Sequence, residues 1–362
     1  MRFGRYFITV RAEDDILLPG YLGSTLRGAF GTALKTSMCG NLSRDCGSCG
    51  IAKRCLYAKT FEPKFLPDGV NLRGMEPPPA YVLEPPSEHL SRLGRGESLS
   101  FNLLLFGEAN SCLPFFLNAF EMMGRRGIGR RGNGPGGGRF VLQEVGQKPG
   151  VNLFDPETGR LATEPVAGHI RLREAPSGAF WTLTAALRTP LRLKFHSQLQ
   201  DTLPFHVLVR AALRRVSAVF AVHGNGEPDL EYARLAAEAA QVRTLSCKLR
   251  WLDWERYSNR QKRRMMLGGM VGTVRYAGVP GEYLPVLEMA GLLHLGKQST
   301  FGLGKLEMVW RPEPADGLRI TGKAAVRDRP RRRPHTHRND AQNARQCRRA
   351  RANLARRCMQ SA

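Results

Sequence analysis

One segment occurs twice in this chain, and that repeat limits the possible folds more than any other feature. The first copy runs from Leu113-Pro114 through FFLNAFEMM to Gly124, then Gly127-Ile128-Gly129, a glycine-rich stretch to Gly138, and RFVLQEV. The second runs from Leu284-Pro285 through VLEMA to Gly291, then LLHLGKQSTFGLG to Gly304, and KLEMVW. Each copy reads as a Pro-started helix, a glycine-rich turn and a closing strand. Proline suits a first helical turn because its missing N–H would be unpaired there anyway. Internal similarity of this kind implies a duplicated unit.

The sequence before each copy supplies the rest of such a unit. Residues 5–11 (RYFITVR) alternate as a strand does. Residues 21–36 read as a helix with Leu22, Leu26, Phe30 and Leu34 on one face. Residues 62–86 are proline-rich and read as an extended surface connection, and 98–106 (SLSFNLLLF) read as a strand. From about residue 178, AFWTLTAALRTPLRLKF reads as a strand pair. Asp201-Thr202-Leu203-Pro204 reads as a cap, Asp201 offering a side-chain oxygen, for the helix FHVLVRAALRRVSAVFAV. GGMVGTVRYAG reads as a further strand. The predicted class is α+β: tandem ferredoxin-like (RRM-like) βαββαβ domains with a four-cysteine metal-binding insertion. The expected layout is a first domain over 1–145, the insertion at 39–55, a linker over 146–177, a second domain over 178–312 and a basic tail over 323–362.

The insertion rests on Cys39, Cys46, Cys49 and Cys55. A pair two residues apart can present both sulfurs to one ion, and four thiolates complete a tetrahedral shell. Such a site has no open position, so the reading is a structural staple, zinc ahead of an iron–sulfur cluster, with no catalytic metal. The N-terminal MRFGRYFITVRAEDD has no apolar secretory core, and no run of about 18 apolar residues spans a membrane. A reducing cytoplasm is the expected setting, where clustered cysteines point to metal rather than disulfide.

The formal net charge is +24. Residues 323–362 hold 13 Lys and Arg against 2 Asp and Glu, and that composition predicts no packed core. The remaining body is still basic, which favours an anionic partner, nucleic acid first.

The ordered set LRGAFGTAL, CLYAKTFEP, AYVLEPP, LLLFGEANSCLPFFLNAFEMMGRRGIG, WLDWERYSNRQKRRMMLGGMVGTVRYAG and LLHLGKQSTFGLGKLEM resembles the CRISPR-associated endoribonucleases that process precursor CRISPR RNA, members of the RAMP superfamily. The resemblance covers about residues 1–310. It implies binding of CRISPR repeat RNA and metal-independent cleavage through the RNA's own 2′-hydroxyl, giving 5′-hydroxyl and 2′,3′-cyclic phosphate ends. It also implies retention of the crRNA and delivery to other subunits of an interference complex.

That reaction needs proton transfer and neutralisation of the phosphorane charge. Many relatives place a histidine in or after the first helix, whereas the first histidine here is His89. The catalytic candidates are therefore Tyr21, Arg27 and Lys35 in the first-helix region, and His294 beside the second glycine loop. Arg27 and Lys35 are about two turns apart, on one helix face. For RNA binding, the second loop offers Lys297, Ser299, Thr300, Phe301, Gly302 and Gly304: charge, hydroxyls, a stacking ring and exposed backbone N–H groups. The first loop offers Arg125, Arg126, Arg130 and Arg131 for phosphates. In WLDWERYSNRQKRRM, Trp251 and Trp254 at helical spacing read as packing, and Arg260, Arg263 and Arg264 as part of a phosphate track.

Overall fold

A computed structural model describes residues 1–313 apart from 43, 44, 65, 149, 177, 179 and 259–262. The basic tail and Arg260 lie outside the described residues.

In the first half, strand β1 (Arg2–Ala12) leads to helix α1 (Leu22–Met38) and a short helix α2 (Leu56–Phe61). Strands β2 (Tyr81–Glu84) and β3 (Ser98–Phe106), helix α3 (Leu113–Arg126) and strand β4 (Phe140–Lys148) follow. The strands lie side by side in the order β2-β3-β1-β4, all antiparallel. In the second half, β5 (Phe180–Leu191), α4 (Phe205–His223), α5 (Tyr232–Glu238), β6 (Arg243–Ser258), β7 (Arg263–Pro280), α6 (Leu284–Leu293) and β8 (Leu306–Pro312) give the order β6-β7-β5-β8. Both orders are those of a ferredoxin-like βαββαβ unit. The duplicated segment is its second half each time, and α3 and α6 both carry Pro in their first turn.

Three local expectations change. WLDWERYS is part of the long strand β6, paired along its length with β7, and not a helix. Strand propensity in RTLSCKLRWLDWERYS and an antiparallel neighbour outweigh the three-residue spacing of the tryptophans. Trp251 still packs against the second core, and its Nε1 donates to Asp253 Oδ1 at 2.7 Å. Asp201 does not cap α4: Pro204 is the N-cap residue, without a side-chain cap bond. The AFWTLTAALRTPLRLKF stretch is a single strand, β5, followed by a tight hairpin at Lys194–Leu199, not a strand pair. The 146–177 stretch carries short strands, of which Val151–Asn152 pairs with β4 and Gly168–His169 with β1.

Strand alternation explains how the halves join. In β2, Tyr81 and Leu83 enter the first core, whereas Val82 joins the second. The strand is buried at every position because each face meets a different core. Leu104 and Phe106 of β3 also join the second core. The period-2 rule then places Glu84 on the face turned to the second half.

Candidate RNA-binding seam

The second glycine loop, between α6 and β8, fills this seam. Phe301 and Ser299 are buried, Thr300 is half-buried and Lys297 is exposed. Gly304 has φ +74, and a Cβ there would stand 1.7 Å from the Leu295 carbonyl, so only glycine fits. The Gly302 carbonyl accepts from Thr189 Oγ1 at 2.8 Å.

Helix α1 presses on the other side of the loop. Tyr21 Oη donates to the Phe301 carbonyl at 2.7 Å, and burial raises this phenol above its ordinary pKa. Its ring packs on Trp254 of β6 at 4.8 Å. A Cβ on Gly23 would lie 2.0 Å from the Phe301 carbonyl, so glycine lets helix and loop touch. The Arg27 guanidinium lies 4.8 Å from the Phe61 ring centroid and 5.4 Å from that of Phe301, a cation–π arrangement. Lys35 lies 5.7 Å from the Tyr57 ring, which stacks on Phe61. Arg27 and Lys35 thus do share a face, the one turned to α2. The buried Tyr81 phenol beside Arg27 and Thr300 is pushed up to about 12, mainly by burial.

Beneath the loop sits a charged network that sequence reasoning missed. Glu84, 2% exposed, accepts from His294 Nε2 at 2.8 Å and Asn102 Nδ2 at 2.8 Å. Lys305 Nζ lies 3.2 Å away, and Arg5 3.8 Å. Burial alone would raise the Glu84 carboxyl, but the hydrogen bond and charge of His294, the Asn102 amide and Lys305 outweigh it and hold it far below the usual carboxylate range. His294, 1% exposed, also bonds the Leu303 carbonyl through Nδ1 at 3.0 Å. Its backbone has φ +59, a strained value for a residue with a Cβ that persists only where surroundings fix it. His294 therefore pins the loop, with both ring nitrogens engaged inside the protein. The only sequence signal for Glu84 was one carboxylate at the end of an apolar run.

A solvent-exposed histidine reaches the same neighbourhood. His89 packs against Gly20, at the entrance to α1. Chain distance hid this; the turn after β2 brings it back. Trp254 Nε1 and Gln298 Oε1 are buried around the seam without a hydrogen-bond partner. Buried polar atoms are nearly always paired, so these are candidate contacts for a ligand or water.

The first glycine loop lies elsewhere. Arg130–Arg131 pairs with Ile16–Leu17 in a separate small sheet. Arg131 and Arg139 clasp Asp14, whose carboxyl these bonds, Arg131 first, hold down at about 2. Arg125 pairs with Glu121 at 3.4 Å, while Arg126 and Arg130 are exposed. Arg263 and Arg264 open strand β7.

The cysteines sit at element ends: Cys39 caps α1, Cys46 and Cys49 bracket a 3-10 turn, and Cys55 caps α2. Burial, Glu62, Cys55 and Cys39 push the Cys46 thiol up against the opposing Lys35. The donor types suit zinc, and Cys39 and Cys55 lie near enough to act on the Cys46 thiol. Among the described residues, however, no group of three or more His, Cys, Asp or Glu is arranged to hold an ion.

The two halves form a duplicated ferredoxin-like fold with a glycine loop held between them. Residues 186–306, about a third of the chain, match the model of CRISPR-associated endoribonuclease Cas6. Residues 1–166 match a second model, described as an N-terminal domain. A Cas6 product complex aligns at 14% identity and TM-score 0.50, covering 85% of this chain and all of that one. Thermus thermophilus Cas6 aligns at 14% identity and TM-score 0.47, covering 85% and 98%. An uncharacterized Archaeoglobus fulgidus protein is 24% identical over 298 residues, 79% of this chain and 91% of that protein. Among the described residues no helix is long and apolar enough to cross a membrane.

Proposed function

We propose that this protein is an endoribonuclease that binds CRISPR repeat RNA and cleaves precursor crRNA by attack of the RNA's 2′-hydroxyl, without a catalytic metal, and keeps the product for other CRISPR-associated subunits. The observation that carries the reading is the glycine loop of the Cas6-matching region, clamped against α1 with Lys297 exposed at its edge. Loop backbone and Lys297 would hold phosphate. Arg27 and Lys35 supply positive charge near the first helix for the phosphorane. His89 is the exposed imidazole at the α1 entrance, placed to carry a proton to or from the reacting oxygens. Tyr21 and His294 act through the loop, since their polar atoms are bonded within the protein.

The test is a denaturing gel of repeat RNA from the protein's own locus, with EDTA, beside a substrate carrying 2′-deoxy at the cut site. One cut that EDTA spares and 2′-deoxy abolishes is expected. His89→Ala is expected to slow it by about 10²-fold or more. Binding without any cut would instead favour a silent crRNA-binding subunit, the second reading that the missing first-helix histidine leaves open.

The cysteine set is proposed to hold one structural zinc ion. One equivalent of metal released by a thiol-modifying reagent, and lost in Cys49→Ser, is the expected result of a colorimetric zinc assay. Metal-free protein with unchanged melting would refute it.

A further inference from the structure

Beside the loop lies a groove of about 580 Å³. Its walls are the loop from Gly296 to Thr300, the Arg192–Phe195 stretch, α4 and the proline-rich run 75–79. Arg192, Lys194, Arg210, Arg214 and Lys297 line it, against the single carboxylate of Glu76. None of these five cations forms an ion pair with a described carboxylate. Some arginines outside the groove are ion-paired, as in Arg188 with Glu307 or Arg234 with Glu231, Glu238 and Glu282. Arg210 and Arg214 are both exposed and four residues apart, so they sit on one face of α4.

Two further features point to the ligand. Phe195 lies in the wall, with the rings of His196 and His206 at 4.1 and 5.6 Å. Gln298, whose buried Oε1 has no partner, lines the same wall and offers an acceptor to a base N–H. His196 and Ser197 form the hairpin tip with φ +46 and +64. That strain, at a position where Asn-Gly would be relaxed, fits a tip kept for its side chains.

We propose that this groove binds a single-stranded RNA segment, phosphates on Arg192, Lys194, Arg210, Arg214 and Lys297, and a base against Phe195 and Gln298. Arg192 donates to the Gly268 carbonyl and Arg214 to the Met75 sulfur, but no described carboxylate neutralises the five charges; a cluster of that kind calls for an anionic polymer, and an aromatic wall among cations is how single strands are held. The volume suits about one or two nucleotides. The inference deepens the proposed function, on which it rests for the identity of the RNA: the segment would be the unpaired flank of the repeat.

The experiment measures binding of full-length protein to a short oligo(U) and, separately, to the repeat hairpin with and without its single-stranded flank. Arg210→Glu/Arg214→Glu is compared with the same charge change at the exposed Lys148 and Arg160 outside the groove. The groove variant is expected to bind oligo(U) and flanked RNA at least about tenfold more weakly, with a salt slope smaller by about 1.4, and to bind the bare hairpin as wild type does. Equal weakening by the control pair, equal weakening on the bare hairpin, or unchanged oligo(U) affinity would overturn the proposal. So would wild-type protein that does not bind oligo(U), even if it cuts the repeat. Protein that ignores the repeat yet binds oligo(U) through these arginines would refute the proposed function and leave the groove standing.

Discussion

A Glu84→Ala protein is expected to lose roughly 3–5 kcal/mol of stability, the usual result of removing one partner from a buried charged network. His294 would keep a buried ring nitrogen without its acceptor, and Lys305 and Arg5 would lose their only nearby carboxylate in that network. The pair need not contribute that much net, since charges so buried are costly to desolvate; the loss comes from stranding the partners. Glu84→Gln keeps the shape and is expected to cost less. Chemical denaturation measures both, and a change under about 1 kcal/mol for Glu84→Ala would show that the network does not bind the halves together. The pH dependence has a definite sign. The folded carboxyl titrates below its unfolded value. Its stabilising contribution is therefore complete above the unfolded value, about pH 4.3, and is lost as pH falls below that through the lowered folded value. The network should be insensitive to pH between about 6 and 8 on the part of Glu84.

Gly23→Ala is expected to reduce repeat cleavage by about 10²-fold, because a displacement of about 1 Å at positioning elements costs that much. The added methyl would sit 2.0 Å from the Phe301 carbonyl, against backbone and not a yielding side-chain tip. Either α1 or the loop must retreat, and the Tyr21 bond to that same carbonyl opens with it. Gly28→Ala, with open space around its Cβ position, is the matched helix-glycine control. Single-turnover cleavage of saturating RNA reads the effect. Equal rates for the two variants would mean that contact between α1 and the loop has no part in the reaction.

The duplication could be read before any coordinates. Two Leu-Pro starts, two glycine-rich turns and two closing strands recur because each unit must bury one face of a sheet under helices. The same pattern gave 98–106 as a strand and Leu22, Leu26, Phe30 and Leu34 as an inward face, all four of them buried. Errors arose where a local rule competed with pairing. Trp251 and Trp254 have helical spacing, yet a partner strand of matching length made the segment β. Asp201 has a capping residue's chemistry, but the chain turns so that Pro204 opens the helix.

Local periodicity and composition determined the element types, the repeat and the basic character of the chain, because each is set by residues near one another in sequence. Only the tertiary structure decided that Glu84, His294 and Lys305 form one network, that Tyr21 and Arg27 bear on Phe301, that His89 reaches the entrance of α1, and that Arg192 and Arg210 share a groove. Those groupings depend on how two sheets pack across a strand buried on both faces, and burial of that kind joins residues that no sequence spacing relates.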